Sequence, residues 1–185
     1  MRRIVTAFCL SLALGAPLRA GTLAGVTLPD GAEVAGQELV LNGIGLRTKL
    51  FIKVYVGGLY LPQKERSASA VLAAEAPRRM ALHFIYDVSK EQMCEAWHEG
   101  LEANTPEASA EVERAFATLC GWMDGVGKGQ LLTLTYLPGQ GTEVAIGGAV
   151  KGTLPGKATA DAVLSTWIGP KPGPGEEFKR RVLGQ

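Results

Sequence analysis

Between Leu50 and Leu61 apolar and polar side chains alternate, with Leu50, Ile52, Val54 and Val56 on one face and Phe51, Lys53 and Tyr55 on the other. A period of two predicts a strand with one buried side. Further strands are expected over Gly25–Leu28, Glu38–Leu46, Arg79–Val88, Gln130–Leu137, Thr142–Gly147 and Ala149–Leu154. Pro29-Asp30-Gly31, Pro138-Gly139 and Gly147-Gly148 are turn signals. Elsewhere the period lengthens. Met93, Trp97 and Leu101 recur at helical spacing, as do Val112, Phe116, Leu119 and Met123, and Thr105-Pro106 separates the two runs. They read as an αα-hairpin, and Ser89 with Gln92 three residues on is a capping signal for its first helix. Ser67–Glu75 is a short helix candidate, Lys157–Ile168 an amphipathic helix, and Glu176–Leu183 a closing helix after the bend GPKPGPG. Strands, a helical hairpin, more strands and terminal helices define an α+β fold with a largely antiparallel sheet.

The first twenty residues change the picture. MRRIVTAFCLSLALGAPLRA has two arginines, an apolar run from Ile4 to Leu14 and a small residue at Ala20. This is the pattern of a secretory signal peptide, with cleavage expected after Ala20 and one domain over residues 21–185. The apolar run is too short to span a bilayer, and nothing later is longer, so the mature chain is expected to be exported, periplasmic and free of a transmembrane segment. Removing the leader takes Arg2, Arg3 and Arg19 from the 19 basic residues, leaving 16 against 18 acids, net −2. That balance gives no electrostatic case for nucleic acid as a partner or for an anionic membrane.

Cys94 and Cys120 remain in the mature chain, equidistant from residue 107 at the turn of the helical hairpin. An antiparallel pair puts them at one height, which favours a disulfide in an oxidising compartment; two buried thiols are the alternative.

Complete catalytic motifs are missing. Gly-x-Ser-x-Gly is absent, and the Gly-rich pieces do not lead from a strand into a helix as a phosphate loop would. Cys94 and His98 have a metal-sharing spacing, but no fourth ligand is visible. His83 sits on a strand, and no Cys-x-x-Cys-His haem attachment motif exists. Neither a cofactor nor a metal is expected. Glu91, Glu95, Glu99 and Glu102 read as a solvated helix face.

Arg47 and Tyr55 stand out because they place a permanent cation and a phenol in an apolar run. Guanidinium can grip a carboxylate with two N–H bonds while the phenol adds a third. Arg47, Lys49 and Lys53 also share parity, as a solvated strand face would. Eight residues of straight strand would separate Arg47 from Tyr55 by roughly 26 Å. The pair can meet only if the chain turns or bulges between Thr48 and Ile52.

LNGIGLRTKLFIKVYVGGLYL, YLPGQGTEVAIGGAVKGTLPG and AVLSTWIGPKPGPGEEFKRRVLG resemble the chalcone isomerase-like family of bacterial exported proteins, from about Gly25 to Gly184. The resemblance implies an open-faced β-sandwich, a long antiparallel sheet covered by helices. It places Arg47 on the arginine that steers the phenolate in the plant enzymes, and Tyr55 where those enzymes carry threonine. Met93 falls on the catalytic tyrosine position, Gly100 on the active-site asparagine, and Thr166 or Ser165 near the last polar position. Met93 and Gly100 cannot hydrogen-bond a ketone or a water, so chalcone cyclisation is not expected.

Arg plus Tyr is similar to the pair that holds the carboxylate in non-catalytic fatty-acid-binding members of the fold. The resemblance thus implies a binding protein for a small amphipathic carboxylate. Arg47 and Tyr55 would meet its head, and Phe51, Phe84, Met93, Trp97, Thr166 and Trp167 would line the site. The alternatives are an isomerase or lyase using Arg47 for oxyanion steering and Tyr55 as acid or base, and a haem-binding or protein-interaction module.

Overall fold

The computed structural model describes residues 21–185. The expected leader, residues 1–20, lies outside the described residues. A seven-stranded antiparallel sheet runs in chain order: β3 (Gly31–Val34), β4 (Gln37–Lys49), β5 (Ile52–Leu61), β6 (Arg78–Phe84), β7 (Leu131–Leu137), β8 (Gly141–Ile146) and β9 (Ala149–Leu154). A separate hairpin, β1 (Gly21–Leu23) with β2 (Val26–Leu28), precedes it. The sheet was expected, but β1 and β3 were not, because strands of three and four residues are too short to show alternation. The strand expected over Arg79–Val88 ends at Phe84, and Val88 makes only an isolated bridge to Val126.

Helices α1 (Ala68–Ala73), α2 (Lys90–Asn104), α3 (Ala110–Gly121), α4 (Lys157–Ile168) and α5 (Glu176–Val182) complete the described chain. Ser89 and Gln92 form the expected capping box at the start of α2. Cys94 and Cys120 are bonded across α2 and α3, with Cα atoms 5.1 Å apart. The larger core lies between the sheet and the helices, and a smaller one lies beneath β1 and β2 on the opposite face.

Two irregularities decide which side chains face which core. In β4 the register shifts between Leu41 and Gly43, leaving Asn42 as an extra residue. Such a bulge reverses the alternation beyond it. Leu39 and Leu41 therefore pack in the small core, while Gly43, Gly45 and Arg47 face the helices. Asn42 itself is buried and donates from Nδ2 to the carbonyls of Glu65 and Val182 at 2.8 and 2.9 Å.

Gly43, Gly45 and Gly57 form a flat lane on which α5 rests. A Cβ at Gly43 would lie 2.1 Å from the Arg181 carbonyl, and one at Gly57 would lie 2.6 Å from the Phe178 ring. The apolar residues of α5, Phe178 and Val182, are buried against that lane.

Candidate functional site

Between Thr48 and Ile52 the chain folds back as the sequence required. Lys49 pairs with Ile52 across the two-residue turn Leu50-Phe51, and Arg47 stands directly opposite Tyr55. A second register shift follows, since Thr48 pairs with Lys53, so Val54 is an extra residue in β5. Residues at a bulge share one strand face locally. Val54 and Tyr55 accordingly both point to the helix side, where they line one cavity with Arg47, Lys49 and Ile52. The alternation that put Val54 and Val56 on one face is corrected here: Val56 belongs to the small core and Tyr55 to the large one. The lysine parity also divides, because Lys53 pairs with Thr48 on the opposite face.

The cavity has a volume of about 490 Å³, within the range of small-molecule sites. Tyr55, Leu82 and Phe84 form its sheet side. Met93, Trp97 and Gly100 of α2, and Thr166 and Trp167 of α4, form its helix side. The bend after α4 closes one end through Gly173 and Pro174. That bend is held by Asn104, which donates from Nδ2 to the Lys171 carbonyl at 2.9 Å and accepts from the Lys171 amide at 2.8 Å. The walls are mostly hydrocarbon, and the charges Arg47, Lys49, Lys171 and Glu99 sum to net positive.

Of the side chains expected at the site, Arg47, Tyr55, Phe84, Met93, Trp97, Thr166 and Trp167 all line this cavity. Phe51 does not. It occupies the hairpin tip and is fully exposed, because the two-residue turn carries it past the end of the sheet. Thr166 spends its hydroxyl on the Val163 carbonyl at 2.8 Å, so it presents little unspent polarity. His83 lies on the sheet face away from the helices, paired with Val56, and His98 is exposed on α2; neither lines the cavity.

Tyr55 is buried against Phe84 and Phe178, with ring centroids 5.3 and 5.9 Å away. Trp167 Nε1 donates to its hydroxyl at 2.9 Å. Burial pushes the phenol's pKa up, and the Arg47 guanidinium and Trp167 indole only partly offset this. The phenol is thus neutral at ordinary pH, with its oxygen engaged by Trp167 and its O–H free to donate. Arg47 is half-buried and makes no salt bridge to an acid among the described residues. A partly desolvated guanidinium beside a neutral phenol donor is suited to an oxyanion.

Gly100 has a structural reason. A Cβ there would stand 2.8 Å from Thr166 Cγ2, so α2 and α4 approach too closely for any larger residue without a shift. Sequence reasoning missed Lys49 and Lys171 at the rim and the Trp167–Tyr55 hydrogen bond. Lys49 was legible in principle from its parity with Arg47; the other two depend on elements far apart in the chain.

A sheet with one helix-covered face and a site between the two layers defines an open-faced β-sandwich of the α+β class. The chain belongs to the chalcone isomerase-like family, whose sequence profile matches residues 20–184. The crystal structure of an Arabidopsis thaliana fatty-acid binding protein is similar with a TM-score of 0.68 at 16% identity, over 90% of this chain and 96% of that one. At that identity the likeness shows the fold. No curated protein sequence matches the chain.

Proposed function

We propose that the protein is an exported, periplasmic, non-catalytic binder of a small amphipathic carboxylate such as a fatty acid. The observation that carries this reading is the apolar cavity of about 490 Å³ with Arg47, unpaired with any acid among the described residues, beside the Tyr55 phenol. The carboxylate accepts from Arg47 and Tyr55, and the tail lies along Phe84, Met93 and Trp97. The fatty-acid binding function of the Arabidopsis neighbour supports the same ligand class. Catalysis is disfavoured by chemistry: Met93 offers no proton, and Gly100 has no side chain and no room for one.

Trp97 and Trp167 line the cavity, so their fluorescence reports occupancy. Titration with a series of saturated fatty acids should give saturable binding. Arg47→Gln should weaken it by about tenfold to a hundredfold, the worth of a charge-assisted hydrogen bond. Unchanged affinity in Arg47→Gln would remove the head-group assignment. Enantioselective cyclisation of a chalcone would overturn the non-catalytic reading. The expected export is checked by cell fractionation and by an intact mass that begins at Gly21.

A further inference from the structure

The turn between β4 and β5 is built against the ordinary rules of turn chemistry. Its residues are Leu50 and Phe51, 85% and 100% exposed, and Ile52 next to them is 43% exposed. Leu50 has φ 55°, in the left-handed region where glycine or asparagine is the usual residue. Burial does not explain the apolar side chains, and backbone geometry disfavours the leucine. Tyr86, 48% exposed, stands at the same cavity rim as Leu50 and Ile52. Four of the six large apolar side chains exposed on the described surface are therefore gathered at one place, the open end of the cavity.

The charged side chains that flank the tip are basic. Lys49 and Lys53 flank the tip on opposite faces of the hairpin, because Lys49 pairs with Ile52 and Thr48 with Lys53. Lys171, in the bend after α4, lines the same cavity. Neither Lys49 nor Lys53 forms a salt bridge among the described residues. A strand rises about 3.3 Å per residue, so the tip projects roughly 5–7 Å beyond the lysines. Interfacial side chains reach a similar depth below lipid headgroups. Apolar groups in the acyl boundary and ammonium groups at the phosphates would both be satisfied at once. The net charge of −2 for residues 21–185 conceals this local positive end.

We propose that the Leu50-Phe51 tip is a membrane-docking finger that inserts into the interface of an anionic lipid bilayer. The cavity then opens toward the lipid, where an amphipathic ligand can enter or leave without crossing water. Docking follows from the tip alone; the exchange of ligand rests on the proposed function above.

The test is co-sedimentation with phosphatidylcholine vesicles, with and without phosphatidylglycerol. The variants are Phe51→Ser, at a fully exposed position outside the cavity lining, and Lys53→Glu, on the opposite strand face. The wild type should partition onto the phosphatidylglycerol vesicles, less so at high salt. Phe51→Ser should lower partitioning by about tenfold or more. Lys53→Glu should lower it by about tenfold on the anionic vesicles only. Ligand affinity in vesicle-free buffer should be unchanged in both.

A wild type that stays in the supernatant, or a Phe51→Ser variant that partitions as well as wild type, overturns the proposal. So does self-association or protein capture that Phe51→Ser abolishes while vesicles are ignored. If vesicle binding holds but Arg47→Gln leaves ligand affinity unchanged, docking stands and the ligand reading fails.

Discussion

At position 55 a phenol is held where burial and a neighbouring guanidinium act in opposite directions, and burial is the larger effect. The consequence is a donor that stays protonated, oriented by the indole of Trp167. Trp167→Phe removes the Nε1–H that engages Tyr55, which is expected to cost about 1 kcal/mol or somewhat more. A thermodynamic cycle with Tyr55→Phe should show coupling of about 1 kcal/mol, measured by urea unfolding. Additive effects would mean that the 2.9 Å contact contributes nothing to stability. Arg47 shows the opposite relation between sequence and structure. Its parity with Lys49 and Lys53 suggested a solvated face, yet Arg47 turns into the cavity, Lys49 stands exposed at its rim and Lys53 lies on the opposite face. Side-chain type identified Arg47; its surroundings came from the facing strand β5, from β6 and α2, and from α4 and the bend after it, more than a hundred residues away.

Among the elements, the two bulges matter most. Without the extra residue at Asn42, Gly43, Gly45 and Arg47 would face away from the helices; without Val54, Tyr55 would not oppose Arg47 on that face. Nothing in the local pattern marks either residue, because a bulge depends on what the strand meets. Asn42 meets the carbonyls of Glu65 and Val182. The glycine lane yields an element-scale prediction. Gly43→Ala would drive a methyl group into the α5 backbone, and a loss of about 2–3 kcal/mol or more is expected. A thermal midpoint matching wild type would mean that α5 does not rest there. The disulfide between α2 and α3 closes a loop of 26 residues. The double change Cys94→Ala, Cys120→Ala should lower stability by about 3–4 kcal/mol on a loop-entropy estimate. Denaturant unfolding of the variant, and of wild type with and without reductant, checks it.

For the whole molecule, three buried phenols set the alkaline limit. Burial pushes Tyr60 up to about 12 and raises Tyr55 as well, and burial together with the Glu75 carboxylate that accepts from its hydroxyl pushes Tyr136 up to about 12. In the unfolded chain these groups ionise near 10. Above that pH the unfolded state binds fewer protons than the folded one, so stability falls as pH rises. Their contribution is fully present below about pH 10 and is lost progressively toward pH 12. Urea midpoints across that interval should decline, with tyrosinate absorbance lagging until the protein unfolds. A midpoint independent of pH there would contradict the burial argument. The buried Arg78 is paired with Asp161, which also binds Lys157, so charge satisfaction as well as hydrocarbon ties α4 to the sheet.

Much of this architecture is local and therefore legible in the chain. Period two marked β4 to β9 in outline, period 3.6 marked the helical hairpin and α4, the Ser89 cap and the Gly147-Gly148 turn bounded their elements, and symmetric spacing favoured the Cys94–Cys120 bond over two free thiols. These features depend on backbone preferences and side-chain spacing within a few turns or strands. The tertiary structure alone decided how Arg47 is brought to the helix face opposite Tyr55, that Phe51 projects into solvent and that Trp167 meets Tyr55. Each depends on a register shift or a helix approach set by partners distant in sequence, where one residue of slip moves a side chain from one face of the sheet to the other.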